Sequence, residues 1–269
     1  MQISILGCGW LGLPLAQTLL QRGHQVKGST TQQDKRAILE ECSIAPYLIR
    51  FSPEINDDYQ ADFFDSEVLI VNIPPKRSEE AVHQYPQQIA SLLRLIKDSS
   101  VQKVLFVSST SVYPNANGPV RESDTSEEVK ASGRALLTTE RMMQNHPGIE
   151  TTVLRFCGLF GPDRNPGRFL AGKTLDSSGQ VPVNMIHLDD CIAIIVEILE
   201  KEVWGETFNA CADEHPTKEE FYGEAARRLD FDPPRFAATE ADAYKVVDSS
   251  KLRKMLNYRF KYPDPKGAL

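Results

Sequence analysis

Short apolar runs and amphipathic stretches follow one another along this chain, and their order predicts strands and helices in turn. Gln2 to Leu6 is rich in β-branched residues and predicts a first strand. Leu15 and Leu19 then recur at helical spacing, and Gly23 is placed to end that helix. Residues 25–31 (QVKGSTT) predict a second strand. The N-terminal part therefore predicts a strand–helix–strand unit.

The same alternation continues further along the chain. Val68 to Ile73 is a continuous apolar run, typical of a strand buried on both faces, and Pro74 ends it. Such alternation predicts an α/β fold of the Rossmann type, a doubly wound parallel sheet with ligands outside the carboxyl ends of its strands. The other predicted elements are strands over Val104 to Val107, Thr151 to Phe156 and residues 206–212, and helices over Ser132 to Asn145 and around Ile89, Leu92, Leu93 and Ile96.

The second half of the chain has a different composition. Residues 158–182 are rich in glycine and proline and predict a loop. Asp189 or Asp190 is expected to cap an apolar helix, and Thr217 with Glu220 has the spacing of a capping box. We predict an NAD(P)-binding Rossmann domain made of residues 1–158 and 184–212, and a smaller C-terminal substrate-binding lobe made of residues 159–183 and 213–269.

Composition and charge exclude several classes of protein. The 269 residues are 41% apolar and 25% charged, as in ordinary globular proteins, and the net charge of −7 argues against nucleic-acid or anionic membrane partners. No apolar run approaches the ~18 residues that a membrane span needs, and no basic leader is present. The five cysteines include no CxxC pair, so we expect reduced thiols, no metal site and a cytoplasmic location.

A glycine fingerprint, G-x-G-x-x-G, lies between the first predicted strand and the first predicted helix. In this context Gly7 permits the tight turn, Gly9 lets a diphosphate approach the backbone, and Gly12 lets helix and strand pack closely. The helix N-terminus then presents free N–H groups to the phosphates. The motif predicts a dinucleotide site.

The end of the second strand bears on which dinucleotide binds. NAD sites usually place a carboxylate about 20 residues past the glycines. Here Ser29 to Thr31 are hydroxyl residues, Lys35 and Arg36 follow, and Asp34 comes late. Hydroxyls and cations suit the 2′-phosphate of NADP. NAD stays possible, because a threonine here might equally cap the next helix while the two cations are solvated.

Position along the predicted sheet extends the cofactor site. Asn72 and Pro74 end the strand that begins at Val68, on the nucleotide side. The predicted cofactor-binding residues are Gly7, Gly9, Trp10, Leu11, Gly12, Ser29, Thr30, Thr31, Lys35, Asn72, Pro74 and Ser108.

Several motifs together resemble one family. They are the glycine loop, VSSTSVYP at Val107 to Pro114, ESD at Glu122 to Asp124, LRFCGLFGP from Leu154, IHLDD, FNA and DSSKLRKMLNY. In this order they resemble the extended short-chain dehydrogenase/reductases, the NAD(P)-dependent epimerase/dehydratase group. GCGWLGLPLA, SSTSVYP, SGR and NPGRFLAGKT look like the YeeZ-type branch of its atypical members. The resemblance implies a Rossmann domain, a small C-terminal substrate lobe and oxidoreductase or epimerase chemistry.

The same resemblance implies a catalytic serine or threonine, with a tyrosine and a lysine spaced as YxxxK on the next helix. The tyrosine exchanges the substrate hydroxyl proton, the lysine lowers its pKa, and the hydroxyl residue positions the oxygen. Aligned on the motifs, Ser109 takes the hydroxyl role, but Ser132 occupies the tyrosine position and Leu136 the lysine position. The resemblance therefore implies a degenerate site.

Other polar residues are candidates for the site. Tyr113 is the one plausible surrogate acid, although an aromatic packed under the loop explains it equally well, and local backbone bonding is the alternative for Ser109. Arg164, Arg168 and Lys173 are candidates to clamp an anionic or nucleotide-linked substrate, with scattered surface cations as the alternative.

Two further polar residues are expected to be structural. His187 lies between apolar neighbours, where a hydrogen-bonded structural histidine is more common than a general base. Arg155 is expected to form a buried ion pair.

Two hypotheses of function follow. The first is an NADP-dependent oxidoreductase or epimerase-like enzyme with non-standard catalytic residues, possible as a homodimer. The second is a non-catalytic protein that binds NADP(H) or senses redox state. The cationic loop favours the first, and the missing tyrosine and lysine favour the second.

Overall fold

The computed structural model describes residues 1–52, 54–55, 61–75, 79–238 and 243–269. Its strands are β1 (Gln2–Leu6), β2 (Gln25–Thr30), β3 (Ala45–Leu48), β4 (Phe51–Ser52), β5 (Glu54–Ile55), β6 (Val68–Val71), β7 (Lys103–Ser109), β8 (Gly118–Val120), β9 (Glu150–Phe156), β10 (Gly158–Phe160), β11 (Thr174–Ser178), β12 (Met185–His187), β13 (Thr207–Ala210), β14 (Arg235–Ala237) and β15 (Lys245–Val247).

The helices alternate with these strands over most of the chain. They are α1 (Gly12–Gln21), α2 (Lys35–Glu41), α3 (Glu79–Ile96), α4 (Ala131–Gln144), α5 (Gly167–Leu170), α6 (Leu188–Glu200), α7 (Lys218–Arg227) and α8 (Ser250–Leu256). Short 3₁₀ turns cover Ala61–Phe64, Thr110–Val112 and Pro265–Ala268. None of the helices in the described ranges is long and apolar enough to cross a membrane.

The main sheet confirms the predicted doubly wound architecture. Its strand order is β13-β9-β7-β6-β1-β2-β3, and the pairings of β1 with β2 and β6, of β2 with β3 and of β6 with β7 are parallel. From β1 the chain builds outward to β3 on one side and then crosses to β6 on the other. The order of strands therefore reverses between β1 and β6, and ligands of open α/β sheets bind at the carboxyl ends of such strands.

Burial explains why these apolar runs form central strands. Val68 to Val71 are all fully buried, as are Ile3 and Ile5 of β1. Fully covered parallel strands have no solvent face, so their sequences lack polar alternation. This is the pattern from which β6 was predicted.

Contacts divide the chain into two compact units. Unit 1 consists of Met1–Val112, Glu127–Arg155 and Ile198–Thr207, and unit 2 consists of Tyr113–Ser126, Phe156–Glu197 and Phe208–Leu269. The predicted division into a Rossmann domain and a substrate lobe follows other boundaries. That division of function stays a prediction.

Unit 2 contains short parallel ribbons where the sequence predicted one long loop. Within residues 158–182, β10 pairs with β12, and β11 pairs with β14 from much later in the chain. The predicted capping box is confirmed: the Thr217 hydroxyl accepts from the Glu220 N–H at 3.2 Å, and the Glu220 carboxylate accepts from the Thr217 N–H at 2.8 Å. The ribbons were missed because their partners are distant in sequence.

The cap of α6 differs from the prediction. Asp189 and Asp190 lie inside the first turn, and the N–H of Asp189 donates to Nδ1 of His187 at 3.2 Å. Asp190 is buried and instead accepts from the Tyr258 hydroxyl and from the Lys261 N–H, each at 2.7 Å. The Asp190 carboxylate therefore anchors the C-terminal segment, and the His187 ring accepts the hydrogen bond at the N-terminus of α6.

Candidate functional site

The glycine loop after β1 has the shape that its sequence predicts. Gly7 has φ +106°, and a Cβ at this position would lie 2.6 Å from the carbonyl oxygen of Asn72. A Cβ at Gly12 would lie 2.2 Å from the carbonyl oxygen of Gly7. By contrast, apart from Gly9 itself and its chain neighbours, no atom of the described residues lies within 4 Å of the place where a Cβ of Gly9 would project. Two glycines are thus needed for packing, and the third leaves open space beside the N-terminus of α1, as a dinucleotide diphosphate requires.

A cleft of about 240 Å³ opens at the carboxyl ends of β1, β2 and β6. It is the place where an open parallel sheet binds its ligand. The residues that line it are Leu6, Gly7, Cys8, Gly9, Ser29, Thr30, Thr31, Gln32, Lys35, Ile49, Phe51, Asn72, Ile73 and Pro74.

Hydrogen bonds fix the glycine loop to the neighbouring strand ends. The Gly7 N–H donates to the Ser29 hydroxyl at 2.9 Å, and the Cys8 N–H donates to the Ser29 carbonyl at 2.8 Å. On the other side, Nδ2 of Asn72 donates to the Gly7 carbonyl at 3.0 Å. Ser29 and Asn72 therefore line the cleft and also hold its floor rigid.

The rim at the end of β2 carries hydroxyls and positive charge. The Thr30 hydroxyl accepts from the Gln32 N–H at 3.2 Å, and α2 begins only after Asp34, without a side-chain cap. The alternative in which a threonine caps α2 is therefore not the observed arrangement. None of the described residues that line the cleft is acidic, and Lys35 supplies a cation there.

Phe51 and Arg50 are among the residues of this rim that sequence reasoning missed. Phe51 lines the cleft, and Nε of Arg50 donates to the carbonyl oxygen of Thr31 at 2.9 Å. Both follow β3, whose short sequence (APYL) gave no strand signal. The pairing of Thr30 with Leu48 brings this segment to the end of β2.

Four predicted cofactor residues do not line the cleft. Leu11 is buried and Gly12 is packed against the loop, so both support the site from beneath. Trp10 is half-buried. Ser108 is buried, and its hydroxyl donates to the carboxylate of Glu140. This geometry favours a structural role for Ser108.

Cys8 lies inside the loop with its thiol turned inward. Burial raises the pKa of this thiol to about 12, so it stays protonated at neutral pH. A Cβ added at Gly28 would lie 2.7 Å from Sγ of Cys8 and 2.7 Å from Cγ2 of Ile44. The thiol thus fills the space that the missing side chain of Gly28 leaves.

Both positions that the resemblance assigns to the catalytic tyrosine and lysine lie on α4, within the predicted helix. Ser132 is half-buried and Leu136 is buried. A Cβ at Gly133 would lie 2.3 Å from the carbonyl oxygen of Ser111, so the helix packs tightly on the turn after β7. The Ser109 hydroxyl accepts from the Ser111 N–H at 3.2 Å, which is the local backbone bond considered as its alternative role.

Tyr113 is 2% exposed, and its phenol donates to Oδ1 of Asn209 at 2.7 Å. Nδ2 of Asn209 in turn donates to the Asp248 carbonyl at 3.2 Å, and its N–H donates to the Glu122 carboxylate at 2.9 Å. The phenol belongs to a buried polar network of unit 2. This geometry favours the packing interpretation of Tyr113 over the catalytic one.

The three predicted substrate cations are all exposed. Arg164 and Arg168 lie between β10 and β11, with Arg168 on the short helix α5. Nζ of Lys173 donates to the carbonyl oxygen of Phe169 at 2.8 Å. Their role in substrate binding stays a prediction.

The two residues expected to be structural are both buried. His187 packs edge-on against Phe160 and Tyr262, with ring centroids 5.2 and 4.6 Å away, and burial lowers the pKa of its imidazole. Arg155 forms the expected buried ion pair, with Nη2 2.6 Å from the Glu140 carboxylate.

Comparison with known proteins agrees with this geometry. A model of the NAD dependent epimerase/dehydratase family matches residues 3–211. The chain belongs to this family. "Protein YeeZ" of Escherichia coli strain K12 is 38% identical over 268 residues, which cover 98% of this chain and 97% of that protein.

Solved structures share the fold of the family at low identity. UDP-glucuronic acid 4-epimerase from Bacillus cereus, in complex with NAD, has a TM-score of 0.79 at 21% identity, covering 100% of this chain and 97% of that one. MoeE5, in complex with UDP-glucose and NAD, has a TM-score of 0.80 at 16% identity with the same coverage. The predicted Rossmann fold and epimerase/dehydratase family are confirmed.

Proposed function

We propose that this family member is an NADP(H)-binding oxidoreductase or epimerase-like protein of the short-chain dehydrogenase/reductase superfamily. One observation carries the proposal: the cleft at the carboxyl ends of β1, β2 and β6, where Gly9 leaves open space beside α1. The rigid glycine floor, held by Ser29 and Asn72, suits a diphosphate that needs close backbone approach. Bound there, a nicotinamide dinucleotide supplies hydride chemistry.

We propose NADP over NAD from the chemistry of the rim. Thr30, Thr31 and Lys35 offer hydroxyl donors and a cation, and no carboxylate among the described lining residues would repel a 2′-phosphate. The two solved relatives described above hold NAD. NAD is therefore the competing cofactor in any test.

The substrate and reaction are proposed from the family together with the degenerate site. The solved relatives are a UDP-glucuronic acid epimerase and a UDP-glucose complex, so we propose a nucleotide-linked, anionic substrate held by Arg164, Arg168 and Lys173. Ser109 would position the reacting oxygen, without the tyrosine and lysine that Ser132 and Leu136 replace. Residues 159–183 and 213–269 would form the substrate lobe of a cytoplasmic protein, with a homodimer as one assembly to test.

A second candidate is a non-catalytic NADP(H)-binding or redox-sensing protein. The hydrogen bonds of the two hydroxyls favour it: Ser109 accepts from the N–H of Ser111 in its own turn at 3.2 Å, and the Tyr113 phenol donates to Asn209 at 2.7 Å. The phenol proton of Tyr113 is thus already donated within the protein. A sensor would keep the cofactor cleft and need no proton donor.

Two measurements on the full-length protein test the proposal. Fluorescence titrations with NADPH and NADH give the affinity and the preference, and tighter binding of NADH would overturn the NADP assignment. Hydride exchange is then assayed with UDP-sugars and small carbonyl compounds, for the wild type and for Ser109→Ala. Tight NADPH binding with no exchange on any substrate would leave the sensor as the better description, while absent binding of both cofactors would overturn both candidates.

A further inference from the structure

Cys157 and Cys211 lie side by side in unit 2, just beyond the carboxyl ends of β9 and β13. The Cys157 N–H donates to the carbonyl oxygen of Ala210 at 3.1 Å. In a parallel pair of strands, a residue whose N–H donates to the carbonyl oxygen of one residue on the other strand lies opposite the next residue of that strand. Cys157 is therefore directly opposite Cys211, at the spacing of adjacent strands, about 4.8 Å.

This register matches the geometry of a disulfide. Bridged cysteines have Cα atoms about 4.4–6.8 Å apart with both Cβ atoms on the same side, and residues in register on parallel strands meet both conditions. Both cysteines are free, and burial, together with the neighbouring Cys157 thiol, raises the pKa of Cys211 well above its ordinary value. The register therefore brings the two side chains within the range of Cα separations that a disulfide spans.

The environment distinguishes the two thiols. Cys211 has no exposed surface, and its Sγ donates to the Met185 carbonyl at 3.7 Å, whereas Cys157 is 6% exposed. The ammonium of Lys245 is close enough to Cys157 for a direct charge interaction. Nζ of Lys245 also donates to the Tyr113 carbonyl at 2.7 Å. A cation beside a thiol stabilises the thiolate, which is the form that attacks oxidants.

The position of Lys245 is set by its backbone. β15 pairs with β8, with Lys245 opposite Gly118. On the other edge the Asn184 amide accepts from the Val247 N–H at 2.8 Å and donates to the Lys245 carbonyl at 2.9 Å. Burial lowers the pKa of the Lys245 ammonium, and its charge interaction with Cys157 opposes that shift. The ammonium makes no ion pair with the other described residues, so this interaction is the one that the oxidation would use.

We propose that Cys157 and Cys211 are an oxidation site that hydrogen peroxide converts to a reversible intramolecular disulfide. The Cys157 thiolate attacks one peroxide oxygen and breaks the O–O bond, giving a sulfenic acid and hydroxide, which takes a proton to become water. The Cys211 sulfur then attacks the Cys157 sulfur. The S–O bond breaks, and the departing hydroxide takes the Cys211 proton as water. This site does not depend on the function proposed above.

The test is peroxide treatment of the full-length protein, followed by intact mass and peptide mapping. We expect a loss of two hydrogens, a cross-linked peptide pair containing Cys157 and Cys211, and full reversal by dithiothreitol. Cys211→Ser should instead trap a Cys157 sulfenic acid that reacts with dimedone. A wild-type protein that keeps both thiols while exposed thiols are oxidised would overturn the proposal, and so would a bridge from Cys157 to Cys191.

The role of Lys245 has its own readout. Lys245→Met should slow formation of the disulfide at least about fivefold at neutral pH, because one charge interaction is worth about 1 kcal/mol in bulk water and more between partly buried groups. Lys245→Arg should keep the wild-type rate, because it keeps the charge. Lys254→Met, at an exposed lysine of α8, is the matched control. Equal rates of disulfide formation in the wild type and the three variants would overturn the role assigned to Lys245. The peptide map would still show whether Cys157 and Cys211 form the disulfide.

Discussion

Arg155 and Glu140 form a buried, two-pronged ion pair that joins β9 to α4. Nε of Arg155 is 3.0 Å from Oε1 and Nη2 is 2.6 Å from Oε2 of Glu140, with side chains 5% and 1% exposed. The Ser108 hydroxyl donates to the same carboxylate. One residue that anchors α4 thus also links it to the end of β7.

Removing one partner of this pair should destabilise the protein strongly. Arg155→Met leaves the Glu140 charge buried without compensation, so we expect a loss of about 3–5 kcal/mol in the free energy of unfolding. Denaturant unfolding measures it. Arg141→Met is the matched control, because its pair with Glu127 is more than half exposed and should be worth at most about 1 kcal/mol. Equal losses in the two variants would contradict this account.

The glycine loop should separate stability from cofactor binding. Gly12→Ala places a Cβ against the Gly7 carbonyl and should cost about 1–3 kcal/mol of stability. Gly9→Ala meets no protein atom, so its stability should stay within about 0.5 kcal/mol of wild type. The same methyl projects into the proposed diphosphate space, and NADPH affinity should fall about tenfold or more. Thermal unfolding and fluorescence titration of both variants give the two quantities.

The fingerprint could be predicted because it depends on local backbone geometry. Spacing of Gly7, Gly9 and Gly12 between a strand and a helix specifies the turn, and the structure has that turn. Buried strands such as Val68–Val71 could also be predicted from the sequence, because full burial requires a continuous apolar run. The turn and the buried strand both depend on neighbours in sequence, and both were predicted.

Roles set by distant partners could not be predicted. Arg50 reaches the rim of the cleft only because β3 pairs with β2, and the sequence of β3 contains a proline and gives no alternation. Asp190 was expected to cap α6, but its carboxylate serves Tyr258 and Lys261. The spacing of residues along the chain does not predict such contacts between distant segments.

Lys35 should contribute to cofactor preference. Lys35→Met removes a cation from the cleft rim and should weaken NADPH binding about fivefold. The lost interaction between the lysine and the 2′-phosphate is worth about 1 kcal/mol near water. NADH has no 2′-phosphate, so its affinity should not change. Parallel titrations of the two cofactors measure the ratio. An equal loss for both would assign Lys35 to the diphosphate instead.

His187 should make stability depend on pH. Burial lowers the pKa of its imidazole in the folded state, so the unfolded chain takes up the proton first as pH falls below about 6.5. Stability should therefore be lost on acidification, by at most about 1.4 kcal/mol per pH unit from this residue. His187→Gln should flatten the fall in unfolding free energy between pH 7 and 5. His83→Gln, at an exposed position, is the control and should keep the wild-type slope.

The contact of Cys8 with Gly28 has a consequence for how this loop varies among relatives. Because the Cys8 thiol and the Ile44 methyl each lie 2.7 Å from where a Cβ of residue 28 would be, the three positions share one volume. A larger residue at 28 is compatible only with smaller ones at 8 and 44. Substitutions at these positions should therefore be inherited together, and an engineered exchange should be made at all three at once.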